Sequence, residues 1–281
     1  MLELPEVEVL RKDLEKEVVG KKVKDVTVET ASIVKPFHRT RPDFIKALEG
    51  RKIENVRRRG KVIFVDLDEE MTWVIDAGST GSLHRETANE KPGPDTHLVV
   101  SFTVGGAIHL SDSSSDPSAS TGVVPTEEAF EAASVDADAM DPFEDNPTWM
   151  EFRHRLAEAD RPLRSALTDP DVIVGIGDVY ADEILWESGL RHDRSSASLS
   201  TQEARRLYRA MMEVINLAMK AAGSSLDESE ADVAVDEEGE VAEHLKVYGR
   251  DGLPCMRCRQ PILRTRIKKG TYTYHCDQCM I

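Results

Sequence analysis

The four cysteines of this chain fall in two CxxC pairs near its end. Cys255 and Cys258 form the first pair, Cys276 and Cys279 form the second, and 17 residues separate the pairs. Two such pairs can surround one metal ion with four thiolates, which is the usual geometry of structural zinc. Four protein ligands leave no open position, so the spacing predicts one structural Zn²⁺. A redox-active CxxC is the alternative, but it would not explain the presence of two pairs.

The residues between the cysteine pairs alternate as in a β-hairpin. Residues 261–267 and 271–275 flank a Lys269-Gly270 turn and are rich in cations, which favours two short antiparallel strands. A basic zinc hairpin can contact phosphate, but zinc ribbons also bind proteins or only stabilise a fold. The pattern leaves these roles open.

The cations of this acidic chain are concentrated in two places. A net charge of −16 argues against DNA binding if it is taken as a whole, but the distribution of charge matters more than the sum. One basic cluster is residues 57–61 (RRRGK), and the other lies between Lys246 and Lys269. No Lys or Arg occurs in residues 92–152, and nine carboxylates crowd residues 227–243. The pattern predicts a polarised molecule with two basic patches, set among acidic segments that could dock a protein partner.

Composition and length indicate a globular protein of more than one domain. The 281 residues are 40% hydrophobic and 31% charged, enough for two separate cores. No apolar run approaches the roughly 18 residues of a membrane span, and the first residues lack the features of a signal peptide. We therefore expect no membrane partner and a cytoplasmic location, associated with the nucleoid if DNA is bound.

The first part of the chain reads as one helix followed by many short strands. Apolar residues at helical spacing in residues 5–19 predict an amphipathic helix. Alternating runs then predict strands, with a hairpin at Gly105-Gly106; these runs begin at Val23, Ile53, Val62, Thr72, Leu98 and Ala107. The predicted first domain, residues 1–110, is a β-sandwich with a leading helix.

The rest of the chain reads as a linker, a helical domain and the cysteine module. Residues 111–146 are rich in Ser, Asp, Glu and Ala, which predicts an acidic linker or loop with at most a short helix near residues 127–133. Helical periodicity returns from Trp149, and Ser200 or Thr201 is expected to cap a helix over residues 202–222. The predicted fold is α+β and multidomain, with a helical domain at 147–245 and a zinc finger at 246–281.

The motifs in this order resemble formamidopyrimidine-DNA glycosylase and its endonuclease VIII relatives. The resemblance spans nearly the whole chain. Its strongest stretches are residues 3–9 (ELPEVEV), 58–61 (RRGK), 78–83 (GSTGSL), 174–185 (VGIGDVYADEIL) and 247–252 (VYGRDG), followed by the finger. The resemblance implies that the helical domain is a helix–two-turn–helix module and that the protein is a monomer that binds DNA.

The family implies a specific chemistry. A damaged base is flipped into a pocket, the amine of an N-terminal proline attacks the sugar to form a Schiff base, and an adjacent glutamate acts as acid–base. A hairpin lysine contacts phosphate and assists. Three side chains fill the gap in the duplex, and an Asn and a finger Arg hold the flanking phosphates.

This sequence keeps part of that set. Glu3 and Glu6 match the glutamates and Lys61 matches the hairpin lysine, but Leu2 stands in place of the proline. If Met1 is retained, the free amine lies one residue too far out; if it is removed, the Leu2 amine can still form a Schiff base. Two blander roles are open: Glu3 can cap the first helix, and Lys61 can be an ordinary solvated lysine.

The residues that would wedge the duplex and hold its phosphates are replaced. The void-filling positions correspond to Ser79, Ser114 and Asp116, the phosphate-binding Asn to Asp178, and the finger Arg to Thr271. The expected DNA contacts are therefore the remaining cations and one tyrosine: Arg58, Arg59, Lys61, Tyr248, Arg250, Arg266, Lys268 and Lys269. We expect productive base flipping in duplex DNA to be lost, because the wedges and two phosphate contacts are missing.

Three functions follow from these observations. The first is a DNA-binding protein that has lost excision of oxidised purines. The second is an active glycosylase or AP lyase with an altered nucleophile (the Leu2 or Met1 amine, or Lys61) and an altered substrate, namely single-stranded or abasic DNA. The third is a protein-interaction module without DNA binding, which strong and salt-dependent duplex binding would exclude.

Overall fold

The computed structural model describes residues 2–78, 80–87, 91–114, 116–225 and 244–281. The chain forms two compact units. Leu2 and residues 6–137 belong to the first unit, and residues 3–5 belong with the part that follows residue 138. The predictions for Met1, Ser79 and the acidic segment 227–243 lie outside the described residues.

The first unit is a β-sandwich, as predicted. Helix α1 (Leu4–Val18) leads into two antiparallel four-stranded sheets, ordered β1-β6-β7-β5 and β2-β3-β4-β8. The strands are β1 (Val23–Val28), β2 (Ile53–Arg59), β3 (Val62–Leu67), β4 (Met71–Asp76), β5 (Gly81–Glu86), β6 (Thr96–Phe102), β7 (Ala107–Asp112) and β8 (Ser120–Pro125). Val7, Leu14 and Val18 of α1 join the core around Trp73. Their helical spacing therefore reflects one buried face of an amphipathic helix, as predicted.

One strand lies within the segment predicted as a linker. Strand β8 pairs with β4, and Thr121 accepts a hydrogen bond of 2.8 Å from the indole of Trp73. Glycine is required within this strand, because a Cβ at Gly122 would collide with the Phe37 side chain. The prediction of a linker over residues 111–146 is therefore wrong for 120–125: the edge of β4 supplies the pairing that the sequence does not reveal.

Two further helices flank the sandwich. Helix α2 (Arg41–Leu48) was not predicted; it starts with a capping box between Thr40 and Asp43. The short α3 (Ala129–Ala132) falls where a short helix was expected.

The second unit is helical and ends in a hairpin. It contains α4 (Trp149–Ala159), α5 (Leu163–Leu167), α6 (Asp178–Ser188) and α7 (Thr201–Ser225). Ser200 caps α7 through a reciprocal capping box with Glu203, which confirms one of the two expected caps. Strands β9 (Leu263–Lys268) and β10 (Thr271–His275) pair around Lys269-Gly270 as expected. Among the described residues no helix is long and apolar enough to cross a bilayer.

The cysteine module shares the hydrophobic core of the helices. Cys255, Ile262, Cys276 and Met280 are buried in the same cluster as the apolar residues of α6 and α7. The finger is thus packed as part of the second unit, although the sequence pattern predicts a separate domain at residues 246–281.

Candidate functional site

The four cysteine sulfurs form one cluster. All four Sγ atoms lie within 4.8 Å of one another, with Cys255 3.9 Å from Cys279 and Cys258 3.4 Å from Cys276. A tetrahedral ion with Zn–S bonds of about 2.3 Å has sulfurs about 3.8 Å apart, so the donor set fits such an ion. The prediction that these residues come together is confirmed.

The first cysteine knuckle is attached to the end of α6. Arg257 donates to the carbonyl of Trp186 at 2.6 Å and to the carboxylate of Glu187 at 3.0 Å, and its guanidinium lies 3.9 Å from the Trp186 ring. A cation at this end of a helix is favoured by the helix dipole. Burial opposes ionisation of Cys255, but neighbouring backbone amides and the Trp186 indole lower its pKa to about 6.

The hairpin is attached to α6 through a buried carboxylate. Asp182 is fully buried and accepts hydrogen bonds from Thr273 Oγ1 and the Tyr274 amide, each at 2.7 Å, and from Arg164 Nε at 2.8 Å. Arg164 also donates to Asp178 at 2.9 Å and to the carbonyl of Tyr272 at 3.1 Å. Burial raises the pKa of Asp182 to about 6 in spite of Arg164, so the carboxylate is still ionised near pH 7.

We expect Arg164→Met to destabilise the second unit by about 3–5 kcal/mol, because it leaves the buried charge of Asp182 without its cation. Urea unfolding at pH 7 measures this loss. The double variant Arg164→Met/Asp182→Asn should recover part of the stability, since the amide keeps an oxygen acceptor for Tyr274 without a charge. A single-variant loss below about 1 kcal/mol, the size of a surface pair, would contradict the assignment.

Glu3 lies at the start of α6. Its carboxylate has no exposed surface and accepts hydrogen bonds from the amides of Gly177 (2.6 Å), Val179 (3.1 Å) and Tyr180 (3.4 Å). These amides lie at the N-terminus of α6, where backbone N–H groups have no acceptor within the helix. A carboxylate is therefore favoured there, also by the helix dipole. Glu3, the residue before α1, therefore caps the start of α6.

Two of the sequence motifs are in direct contact here. The Leu4 amide donates to the carbonyl of Gly175 at 2.9 Å. Gly175 has φ = +92°, and a Cβ there would press on the Leu4 side chain. Glycine is needed at this position for both reasons. Residues 3–5 and the loop before α6 therefore form one substructure within the second unit.

A second buried carboxylate of α6 organises the chain before the finger. Glu183 accepts hydrogen bonds from the amides of Lys246, Val247 and Tyr248 at 2.8–3.0 Å. Tyr248 is half-buried, and burial together with neighbouring Tyr274 and acidic groups raises its pKa to about 12. The next cation, Arg250, is partly exposed, and its buried Nε has no hydrogen-bond partner among the described residues.

The basic hairpin of the first unit is divided between structural and accessible cations. Arg58 has a fully buried side chain that donates to Glu8 at 3.1 Å and to the carbonyl of Gly60 at 2.9 Å. Arg59 is 8% exposed and donates to the carbonyl of Ala137 at 2.9 Å. Lys61 lies in the two-residue β2–β3 turn and is half-buried. We therefore remove Arg58 from the proposed DNA contacts, because it would have to leave Glu8 to reach a phosphate.

The candidate catalytic residues fall in different units. Glu3 belongs to the second unit, and Leu2, Glu6 and Lys61 belong to the first. Leu2 packs against the core of the sandwich, and Glu6 is partly buried in the first turn of α1. Burial raises the pKa of Asp76, while Lys61 nearby opposes this rise.

Comparison with known proteins places these features in a family. The sequence profile of the "Formamidopyrimidine-DNA glycosylase N-terminal domain" matches residues 1–115, and that of the "Formamidopyrimidine-DNA glycosylase H2TH domain" matches residues 139–230. The chain is 30% identical over 281 residues to the formamidopyrimidine-DNA glycosylase of Desulfitobacterium hafniense, with 100% of both chains covered. It is 32% identical over 283 residues to that of Pediococcus pentosaceus, covering 100% and 99%. This chain belongs to the formamidopyrimidine-DNA glycosylase family.

Solved structures agree with the fold. A complex between the Lactococcus lactis Fpg and DNA containing an abasic site aligns with a TM-score of 0.84, 23% identity and 99% coverage of both chains. The complex of the same protein with FAPY-dG-containing DNA gives the same values. The helical part of the second unit is accordingly the H2TH domain of the family.

Three family positions that carry replacements have defined surroundings. Ser114 and Asp116 lie in the loop after β7. There the Asp112 carboxylate accepts hydrogen bonds from the amides of Ser114 at 2.9 Å and Ser118 at 3.1 Å. Asp178, at the first position of α6, has a side chain that is 38% exposed and paired with Arg164. Its charge is thus partly balanced, which the sequence did not indicate.

Several residues of this site were not predicted. Asp182 and Glu183 had a visible signal, since these two of the four carboxylates of α6 stand among apolar residues that are buried. Arg164 had none, because its partners Asp178, Asp182 and Tyr272 are 14 to 108 residues away.

Proposed function

We propose that this chain is a DNA-binding member of the formamidopyrimidine-DNA glycosylase family that does not excise oxidised purines. The observation that carries the proposal is Leu2 in place of the nucleophilic proline, in a chain where Asp178 and Thr271 replace two phosphate-binding residues. A carboxylate that is 38% exposed at the start of α6 disfavours a phosphate there, even with Arg164 beside it. We propose that Cys255, Cys258, Cys276 and Cys279 hold one structural Zn²⁺ that keeps the hairpin folded.

DNA binding is supported by the family and by the cations that stay accessible. The Lactococcus lactis relative is described in complexes with DNA. In this chain Arg266, Lys268 and Lys269 are exposed on the hairpin, and Lys61, Tyr248 and Arg250 are partly exposed. We propose these residues as the DNA contacts, with Arg59 in a lesser role because it is largely buried.

The second candidate is an active AP lyase with another amine as nucleophile. It is favoured by the retained Glu3, Glu6 and Lys61 and by relatives that are named as glycosylases. Borohydride trapping on a duplex with an abasic site distinguishes the two, with the N-terminus of the protein determined by mass spectrometry. Salt-sensitive DNA binding without a covalent adduct supports the proposal. An adduct that disappears when the N-terminal amine is blocked overturns it, and binding to no DNA would favour the protein-interaction alternative.

Lys61→Ala should weaken duplex binding and lower the slope of log K against log salt concentration by about 1, as expected for one lost phosphate contact. The matched control is Lys46→Ala, an exposed lysine of α2 in the same unit, because it removes the same charge from another surface. Fluorescence anisotropy at several salt concentrations measures both. Equal slopes for the two variants would make Lys61 an ordinary solvated lysine.

A further inference from the structure

The two faces of the β9–β10 hairpin differ in their chemistry. The register sets Tyr272 opposite Arg266 and Tyr274 opposite Arg264, and cross-strand partners lie on the same face of a sheet. The other face carries Thr273, which is fully buried and bonded to Asp182 of α6. The hairpin is therefore anchored through one face. On the other face Arg264 and Arg266 are exposed and Tyr272 is partly exposed, while Tyr274 also packs against the core of the second unit.

The aromatic and cationic side chains of the outer face are in contact. The guanidinium of Arg264 lies 3.8 Å from the Tyr272 ring centroid and 5.8 Å from that of Tyr274. The Tyr248 ring extends the row, since its centroid is 4.8 Å from that of Tyr274. Arg264 itself is exposed, so a flat cation is held against an aromatic ring with its outer side toward solvent.

Among the described residues, these cations have no carboxylate partner. Within the part of the chain that the structure describes, Arg264, Arg266, Lys268 and Lys269 have no carboxylate oxygen within 4.0 Å. Other arginines are paired, as Arg164 is with Asp182. In a chain of net charge −16, a surface whose cations have no carboxylate partner among the described residues favours the approach of a polyanion.

We infer that this outer face binds single-stranded nucleic acid, with an unpaired base stacked on Arg264 above Tyr272. The inference rests on the proposed DNA binding and specifies its substrate class. Bases in a duplex have their faces covered by their neighbours, so an arginine plane and a row of tyrosines contribute only when a base is unstacked. A duplex or an acidic peptide would interact with the charges of the same face, but it would not stack on the Arg264 guanidinium or the tyrosine rings.

The test compares binding of a labelled oligothymidine and of a duplex by fluorescence anisotropy at one salt concentration. Arg264→Lys keeps the charge but removes the planar group. It should weaken single-strand binding about tenfold, the effect of about 1.4 kcal/mol of lost stacking, and leave duplex binding within about twofold. Tyr272→Leu should give the same pattern. Lys269→Ala, the charge control, should weaken the binding of both ligands by the same factor.

The outcomes separate this inference from the proposed function. Unchanged single-strand binding in both Arg264→Lys and Tyr272→Leu, or an equal loss for both ligands, overturns the stacking surface. Neither result contradicts the proposed function, because the unaltered protein still binds DNA. If the unaltered protein binds neither ligand, the proposed function fails as well. Zinc content and circular dichroism of each variant show that the hairpin is folded, and both substituted side chains are at least partly exposed.

Discussion

Replacement of Cys276 by serine should abolish zinc binding and unfold the finger. Structural zinc in finger peptides contributes about 10–16 kcal/mol of apparent binding free energy, which is comparable with the whole stability of a domain. Cys276 is buried in the core shared with the helices, and loss of the hairpin would also remove Thr273 and Tyr274 from Asp182. We expect the zinc content to fall from one equivalent to none and the melting temperature to fall by more than about 10 °C.

The matched control is Met256→Ser, in the first cysteine knuckle. Met256 is 45% exposed, so this change should leave zinc content and melting temperature almost unaltered. Metal analysis and thermal unfolding, with and without a chelator, measure both variants. A Cys276→Ser protein that retains one zinc equivalent would contradict the four-cysteine site.

Glu3→Ala should lower the free energy of unfolding by about 3 kcal/mol. The substitution removes the anion at the start of α6 and leaves three buried amides, those of Gly177, Val179 and Tyr180, without this acceptor. Each unsatisfied buried donor costs about 1–3 kcal/mol before relaxation or water entry, and the helix-dipole contribution adds to this. Urea unfolding measures the change directly and does not depend on any enzymatic activity.

Two further variants identify the cause of that loss. Glu3→Gln keeps an oxygen acceptor but loses the charge. It should therefore lower the free energy of unfolding by less than Glu3→Ala does. Glu54→Gln, an exposed glutamate of β2, should change stability by less than about 0.5 kcal/mol. If Glu3→Ala were as mild as Glu54→Gln, Glu3 would not be a structural cap, and its retention would have to be explained by chemistry.

The cysteine cluster, the sandwich and the main helices could be predicted from local sequence. Two CxxC pairs with a hairpin between them constrain the metal ligands whatever surrounds them, and the clustered sulfurs confirm this. The spacing of Val7, Leu14 and Val18 sufficed for α1, because helical periodicity places them on one face. The family resemblance was also correct, since its motifs are contiguous and occur in a fixed order.

The tertiary structure decided which charged residues are accessible and which are used inside the protein. Arg58 and Lys61 look alike in the RRGK motif, yet Arg58 is buried against Glu8, 50 residues away, and Lys61 lies in a turn. Glu3 meets amides 174 to 177 residues later in the chain, and β8 is a strand because β4 offers it an edge. Local sequence encodes periodicity and ligand spacing, whereas the partner of a buried charge or of an edge strand is set by packing between distant segments.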